Sequence, residues 1–335
     1  MAIEWVASSG LAQGGLHAAV RAVVLDALSK SVGDTLMKNS DFRDELGLGV
    51  GTVQRAIDLL ADRAALRTVS RGHLGRRIES VDIGQSWQAA GLPPIQISLS
   101  PPGSVEIDAL EGWLSHELIR IGVPFSLAHT RGGNHRLEQL DQAHVDFTVV
   151  SAGTYAGLAA AHGSVEPSPH RLLGGGTYYS PERLLVLSTR GLSDDDAPER
   201  IAIDHESFDH EALTLAQFPP HPRRHYVQVP FLEVPGFVLA GVVDAGVWHQ
   251  RASAVPLSLT GLISRPMWGP STATRDQLSG ATIVTRSGRP ELRSVMDALD
   301  IRALATHRDD AIAAETTTAE RLSQALLRAQ DPARA

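Results

Sequence analysis

No cysteine occurs among the 335 residues, which excludes a disulfide framework, a thiolate zinc site and a cysteine nucleophile. Long apolar runs are missing too. The longest, Phe237 to Val243, is broken by Asp244 and is far too short to cross a bilayer. Near the N-terminus Glu4 stands where a secretory leader carries basic residues, and glycines follow before any sustained apolar run. The expectation is a cytoplasmic protein with no membrane partner. With 43% hydrophobic and 20% charged residues the chain is an ordinary globular one, long enough for two or three domains.

A net charge of -8 argues against a protein that coats nucleic acid along its whole surface, yet the average hides an asymmetry. Residues 1–83 carry ten basic and ten acidic side chains, so the remaining 20 basic and 28 acidic residues hold the entire -8. Between Leu66 and Ile78 stand Arg67, Arg71, His73, Arg76 and Arg77 with no acid at all. That local concentration is the electrostatic clue.

The first 80 residues read as one domain. Leu16 to Val32 predicts a helix from apolar residues spaced three and four apart. Ser40 is expected to cap a short helix through Leu46, and Gly47 to Val50 to turn into a third helix opening at Gly51. Val53, Ile57 and Leu60 would face inward, leaving Gly51, Thr52, Gln54, Arg55 and Asp58 outside. Two short helices joined by such a turn form a helix-turn-helix whose second helix can enter a major groove. Ala65–Val69 and Leu74–Ile78 then pair around Ser70 to His73 as a basic hairpin, the wing. A solvated bundle would account for the helices alone; four arginines on one hairpin suit contact with double-stranded DNA. Gln54 and Arg55 are expected at base edges, and Arg67, Arg71, Arg76 and Arg77 at phosphates, with Ser40 a further candidate DNA contact.

The run Leu46 to Leu60 resembles the winged-helix core of GntR-type bacterial repressors. More narrowly, Gly51-Thr52-Val53-Gln54 followed by Ser70-Arg71-Gly72-His73-Leu74-Gly75 is similar to the YhfZ family of transcription regulators, with a resemblance that extends over nearly the whole chain. It departs from the GntR pattern in carrying Lys38-Asn39-Ser40 ahead of the second helix and glycine at 51. The resemblance implies DNA contacts from Gly51, Thr52, Gln54 and Arg55 on the recognition helix and from Arg71, Gly72 and His73 on the wing.

Residues 81–94 read as a linker closing on Gly91-Leu92-Pro93-Pro94. From 95 to 308 strands and helices alternate, which predicts α/β lobes with parallel sheets. Strands are expected at Ile95–Leu99, Phe125–Ala128 and Val145–Val150, and helices at Ser104–Ile121 and Asn134–His144. A second half carries strands at Leu184–Leu187, Ile201–Ile203, Tyr226–Val229 and Phe237–Val243. The chain returns through a strand at Ala281–Val284 and a helix at Leu292–Leu304. Two lobes with a crossing and a return describe a periplasmic-binding-protein type 2 architecture, the fold that the YhfZ resemblance also implies.

Loops at the carboxyl ends of its strands are rich in hydroxyls and glycine, and each such loop alone is as well explained as a turn. Together they point to a cleft for a small polar or anionic effector, with Ser100, Ser104, Thr130, Arg131, Ser151, Gly153, Thr154, Tyr155 and Ser207 as candidate contacts. Asp244 is expected to cap the helix after its strand, or to meet a ligand amine. Gly174-Gly175-Gly176-Thr177 lacks the lysine of a phosphate loop and reads as a mobile connection between lobes.

The pairs His205/His210 and His221/His225 are off metal-ligand spacing, so no metal, cofactor or catalytic triad is expected. Asp204, His205 and Glu206 are the only compact acid/base candidates for an enzyme reading. The tail, 309–335, carries Ile312, Leu322, Leu326 and Leu327 as a stripe for self-packing or for the seam of a homodimer.

Overall fold

Apolar stripes at helical spacing organise the N-terminal part of the computed structural model, which describes residues 3–162, 168–192, 197–251, 257, 260–269 and 271–330. Helix α1 (Ile3–Leu28) buries Ala19, Val20, Val23, Val24 and Ala27. It ends before Val32, which is 65% exposed, as the chain turns at Gly33 (φ 103°). Strand β1 (Thr35–Leu36), helices α2 (Asn39–Leu46) and α3 (Val50–Asp62), and strands β2 (Leu66–Ser70) and β3 (Arg76–Val81) follow. α3 buries Val53, Ala56, Ile57 and Leu60 and packs on α1, and the strands form an antiparallel sheet in the order β1-β3-β2. This is a helix-turn-helix with a wing. Ser40 does not cap α2: the helix begins one residue earlier, the flanking residue is Lys38 with no side-chain cap, and Ser40 Oγ bonds Asp41 instead.

The stretch read as a linker holds a packed helix, α4 (Ile83–Ala89). Asp82 caps it by accepting from Gln85 N at 2.8 Å, and Ser86 Oγ donates to Ala65 O at 3.0 Å. Trp87 is buried with its indole N–H on Pro93 O at 3.0 Å. Seven residues are too few to display a helical period, and the Gly-Pro cluster behind them dominated the local composition. By contact density the chain divides into two units. One comprises residues 1–96, 115–126 and 286–299; the other comprises 97–114, 127–285 and 300–335.

The α/β part runs β4 (Ile95–Leu99), α5 (Val105–Ile121), β5 (Phe125–His129), α6 (Gly133–Asp141), β6 (Phe147–Ser151), α7 (Ala152–His162) and β7 (His170–Leu172). The second lobe adds β8 (Leu184–Ser188), β9 (Arg200–Ile203), α8 (Phe208–Gln217), β10 (His225–Gln228), α9 (Val234–Leu239), β11 (Ala245–His249) and β12 (Ile263–Pro266). Helix α10 (Ser271–Leu278), strand β13 (Ala281–Thr285) and helices α11 (Pro290–Ala298) and α12 (Ala303–Gln330) complete the chain.

The sheets are ordered β5-β4-β6-β13-β7 and β10-β9-β11-β8-β12. Both follow one rule: second, first, third, then an antiparallel strand that has crossed from the other lobe, then fourth. β13 returns to run antiparallel between β6 and β7, and β8 arrives to run antiparallel between β11 and β12. Two lobes of matching topology joined by two crossings form the binding-protein type 2 architecture. Among the described residues no helix is long and apolar enough to cross a membrane.

Phe237–Val243 is not a strand. Val234 and Val238, four apart, bury one face of α9, Gly241 (φ 65°) ends the turn, and the strand is the next apolar run, β11. A short apolar run does not by itself distinguish helix from strand. Asp244 therefore precedes a strand and caps no helix. It accepts from the amides of Glu199 and Arg200 and pairs with Arg200 Nη2 at 2.6 Å, clamping β11 to β9. The glycines at 174–176 do lie in a crossing, and Thr177 pins their turn by donating to Gly174 O and accepting from Ala281 N. The expected helix Leu292–Leu304 is split between α11 and α12. Ile312 is exposed on α12, whereas the side chains of Leu326 and Leu327 and the residues 331–335 lie outside the described residues.

Candidate functional site

The face of the winged helix is built from α3 and the wing. Gly51 and Arg55 are exposed on the outer side of α3, and Thr52 is half-buried beside them, with Arg55 Nη2 3.5 Å from its hydroxyl. The wing turns through a short 3-10 segment at Gly72–Leu74, where Gly72 (φ 62°) and Gly75 (φ 86°) take backbone angles that disfavour side chains. Arg67, Arg71, His73 and Arg77 are exposed, and none forms an ion pair among the described residues. Leu74 caps the tip, 55% exposed.

Gln54 and Arg76 do something else. Gln54 Oε1 accepts from Asn39 Nδ2 (3.2 Å) and Arg76 Nη2 (2.9 Å), and Gln54 Nε2 donates to Asp58 at 2.7 Å. The two side chains fasten the wing to α2 and α3, so their polar groups already have partners within the protein.

In the α/β part three of the predicted candidates, Arg131, Ser151 and Thr154, meet residues of the opposite lobe. Arg131, ahead of α6, donates to both carboxylate oxygens of Asp204 (3.2 and 3.1 Å) and to Glu206 at 2.9 Å. Ser151 and Thr154, at the start of α7, donate to Asp209 Oδ1 at 2.5 and 2.8 Å. Tyr179, in the first crossing, donates to the other oxygen at 3.2 Å. Burial pushes the Asp209 carboxyl above its usual range against the pull of these donors. Glu106, on α5, accepts from Ser180 N at 2.9 Å and lies 3.2 Å from His249 Nε2 at the end of β11, both side chains fully buried. Arg251 reaches the carbonyls of Pro101 and Pro102.

The remaining candidates divide. Ser207 caps α8, accepting from His210 N, and lines a cavity of about 10 Å³, room for one water, with Tyr179, His210, Phe231 and His249. Ser104 is buried at the start of α5 and accepts from Ile107 N. Ser100 lies beside the Tyr178 hydroxyl, and Thr130 offers its carbonyl to Arg136. Gly153 packs on Leu278, a member of the second lobe's core, whereas Tyr155 is not part of the junction and donates to Ser168 O near β7.

Of the histidines, His210 is fully used inside the protein. Its Nδ1 accepts from Asp204 N and its Nε2 donates to Val247 O, and burial lowers it to about 4, so it is a neutral structural ring at pH 7. Asp204 accepts from Arg131, Gln228, Phe231 N and Glu206 N, which leaves it no role as a general base.

Residues 82–319 match the family described as the YhfZ C-terminal domain, and residues 31–78 match a helix-turn-helix domain. The chain belongs to the YhfZ family. Protein YhfZ of Escherichia coli (strain K12), itself described as uncharacterized, is 24% identical over 296 residues, which is 86% of this chain and 92% of the relative. The crystal structure of YhfZ from Shigella flexneri aligns with a TM-score of 0.53 at 22% identity, covering 70% of this chain and 96% of that one. The alkanesulfonate-binding protein SsuA from Xanthomonas axonopodis pv. citri, solved with MOPS, aligns at a TM-score of 0.48 and 18% identity, over 68% of this chain and 79% of its own.

In this YhfZ chain, several residues that bind the lobes together carry no local sequence signal. Glu106, Arg136, Tyr178, Tyr179, Asp209 and His249 come from α5, α6, the crossing, α8 and β11, and only the fold assembles them. One signal was available for Asp209: it stands two residues after the helix-capping Ser207, in the first turn, where acids are favoured.

Proposed function

We propose that this YhfZ-family chain is a ligand-responsive transcription regulator. Residues 1–80 read an operator half-site, and the lobes of 95–308 sense a small polar or anionic metabolite. The observation that carries the reading is the wing: exposed arginines without acidic partners among the described residues, held beside the recognition helix of a helix-turn-helix. In this reading Arg55 and Thr52 would meet base edges, and Arg67, Arg71, Arg77 and His73 phosphates. Gln54 and Arg76 are engaged with each other in fastening the wing to the helices. A homodimer in the cytoplasm would present two heads to a palindromic operator. An effector acts only if it binds one arrangement of the lobes better than another.

The test is binding to the promoter region beside its own gene, at two salt concentrations, with and without a metabolite extract. Saturable binding with a steep salt dependence is expected. Arg71→Ala should weaken binding to every sequence alike and reduce the magnitude of the log K against log salt slope by about 1. An unchanged slope would remove Arg71 from the interface, and no binding at either salt concentration would end the regulator reading.

A further inference from the structure

Two buried charges face each other across the lobes without touching. Arg136 of α6 is 2% exposed, and its guanidinium donates to Val149 O (3.2 Å), Thr130 O (2.7 Å) and Tyr178 OH (2.7 Å). All three partners are neutral, and no acid lies within ion-pair distance of it among the described residues. A guanidinium keeps its charge in any protein setting, so burying one without a counter-ion in contact is costly. Asp209 of α8, 4% exposed, is the negative group that acts on the same cluster, and Arg136 in turn favours its charged form. Tyr178, bonded to Arg136, and Tyr179, bonded to Asp209, stand edge to face between them with centroids 4.8 Å apart.

The seat that Asp209 occupies belongs to the other lobe. Its Oδ1 is held by the hydroxyls of Ser151 and Thr154, both fully buried. Ser151 Oγ and Thr154 Oγ1 lie 3.0 Å apart, and Ser151 Oγ accepts from Thr154 N, which fixes the first hydroxyl in place. This is a built oxyanion seat beside a buried cation, and the second lobe fills it with a carboxylate of its own.

We infer that Asp209 is a tethered stand-in for the effector, and that the effector is a small oxyanion, a carboxylate or sulfonate, which enters by displacing Asp209 from Ser151 and Thr154. The inference rests on the regulator reading and names the ligand class and the regulation of its cleft. Displacement removes the hydroxyl contacts that Asp209 of α8 makes with the first lobe, which gives the bound and unbound arrangements different lobe contacts, as a ligand-driven switch requires. It also sets a threshold: the effector must compete with a group present at a high effective concentration.

The experiment measures thermal midpoints of the full chain against rising acetate, methanesulfonate or inorganic phosphate, with sodium chloride at matched ionic strength as the control. The wild type should respond weakly. Asp209→Asn, which keeps the shape and removes the charge, should bind at least one of the three anions about tenfold more tightly, and Ser151→Ala in that background should abolish the gain. No gain, or a gain that survives Ser151→Ala, overturns the proposal. Should Asp209→Asn fail to fold, Tyr179→Phe carries the test, because it loosens the tether and leaves the seat intact. A rise in anion affinity supports displacement, and unchanged affinity overturns it. Binding to promoter DNA is followed on the same samples. A chain that binds DNA but gains no anion affinity refutes only the seat, and one that gains anion affinity but binds no DNA refutes only the regulator reading.

Discussion

Gly84→Ala should destabilise the unit that carries the winged helix by about 3 kcal/mol, at the upper end of what overpacking a close contact costs. A Cβ at this position would lie 2.4 Å from Ile121 O, 3.0 Å from Gly122 Cα and 3.1 Å from Gly122 O. All three atoms are backbone, so no side chain can swing aside to make room. The opposing segment has little freedom either, since Gly122 holds φ 81° and its amide bonds the carbonyls of Leu118 and Ile119 at the end of α5. The added methyl therefore has to part α4 from α5, and with it the burial of Trp87. The expected result is a lower denaturant midpoint together with faster hydrogen exchange at the amides of Ser86 and Ala90, which bond Asp82 O and Ser86 O. Residues 81–94 acting as an open linker would leave both quantities unchanged, and that outcome would refute the packed helix.

The same segment shows where sequence reasoning stops. The recognition helix was legible because its information is local: Val53, Ile57 and Leu60 repeat at helical spacing and are all buried, while Gly51, Arg55 and Asp58 stay outside. The alternation of strands and helices from Ile95 to Val150 was legible for the same reason, and so were the hydroxyl-rich loops that the fold brings to the lobe junction. α4 was not, because one helical face of a seven-residue segment offers too few positions to show a period. Phe237 to Val243 failed differently: the apolar run is real, but Val234 and Val238 make it one buried face of a helix. His249 ends β11, the strand that follows this helix, so its position at a strand end depends on where that strand falls. Least legible were the partners across the lobes. Ser151 and Thr154 could be picked out as polar residues at a strand end, but that their acceptor is Asp209, 58 and 55 residues on, depends on the second lobe folding back over the first. Arg131 was read as a ligand cation on sound chemistry, and the protein supplies the carboxylates itself, from Asp204 and Glu206.

Glu106→Gln should cost about 3 to 4 kcal/mol at neutral pH and remove most of one acid-unfolding step. Burial alone would raise the Glu106 carboxyl. His249 beside it and the amide of Ser180 overcome that and bring it down from 4.5 to about 2. A carboxyl whose pKa is lower in the folded chain contributes stability above its unfolded value and loses that contribution as pH falls toward its folded one. For Glu106 the window runs from about 4.5 down to about 2, and at roughly 1.4 kcal/mol per pH unit the contribution is about 3 to 4 kcal/mol. With 1% of the residue exposed, solvent screening does not reduce it appreciably. Glutamine keeps an acceptor for Ser180 N but removes the buried carboxylate that lies beside His249. Chemical denaturation at steps from pH 7 to pH 2 should therefore find the variant less stable at pH 7, with a flatter dependence below 4.5, converging on the wild type near pH 2. His249→Gln separates attraction from burial. It leaves the buried Glu106 carboxylate in place without the side chain that helps to lower it, so the acid transition should move upward in pH instead of flattening. Parallel pH curves for the wild type and Glu106→Gln would mean that the pair contributes nothing. The loss would also be felt at the junction of the lobes, because Glu106 belongs to the first lobe, His249 to the second and Ser180 to the crossing between them. A weakened pair should thus lower the threshold at which an oxyanion displaces Asp209, so Glu106→Gln is expected to bind such anions more tightly than the wild type even as it becomes less stable.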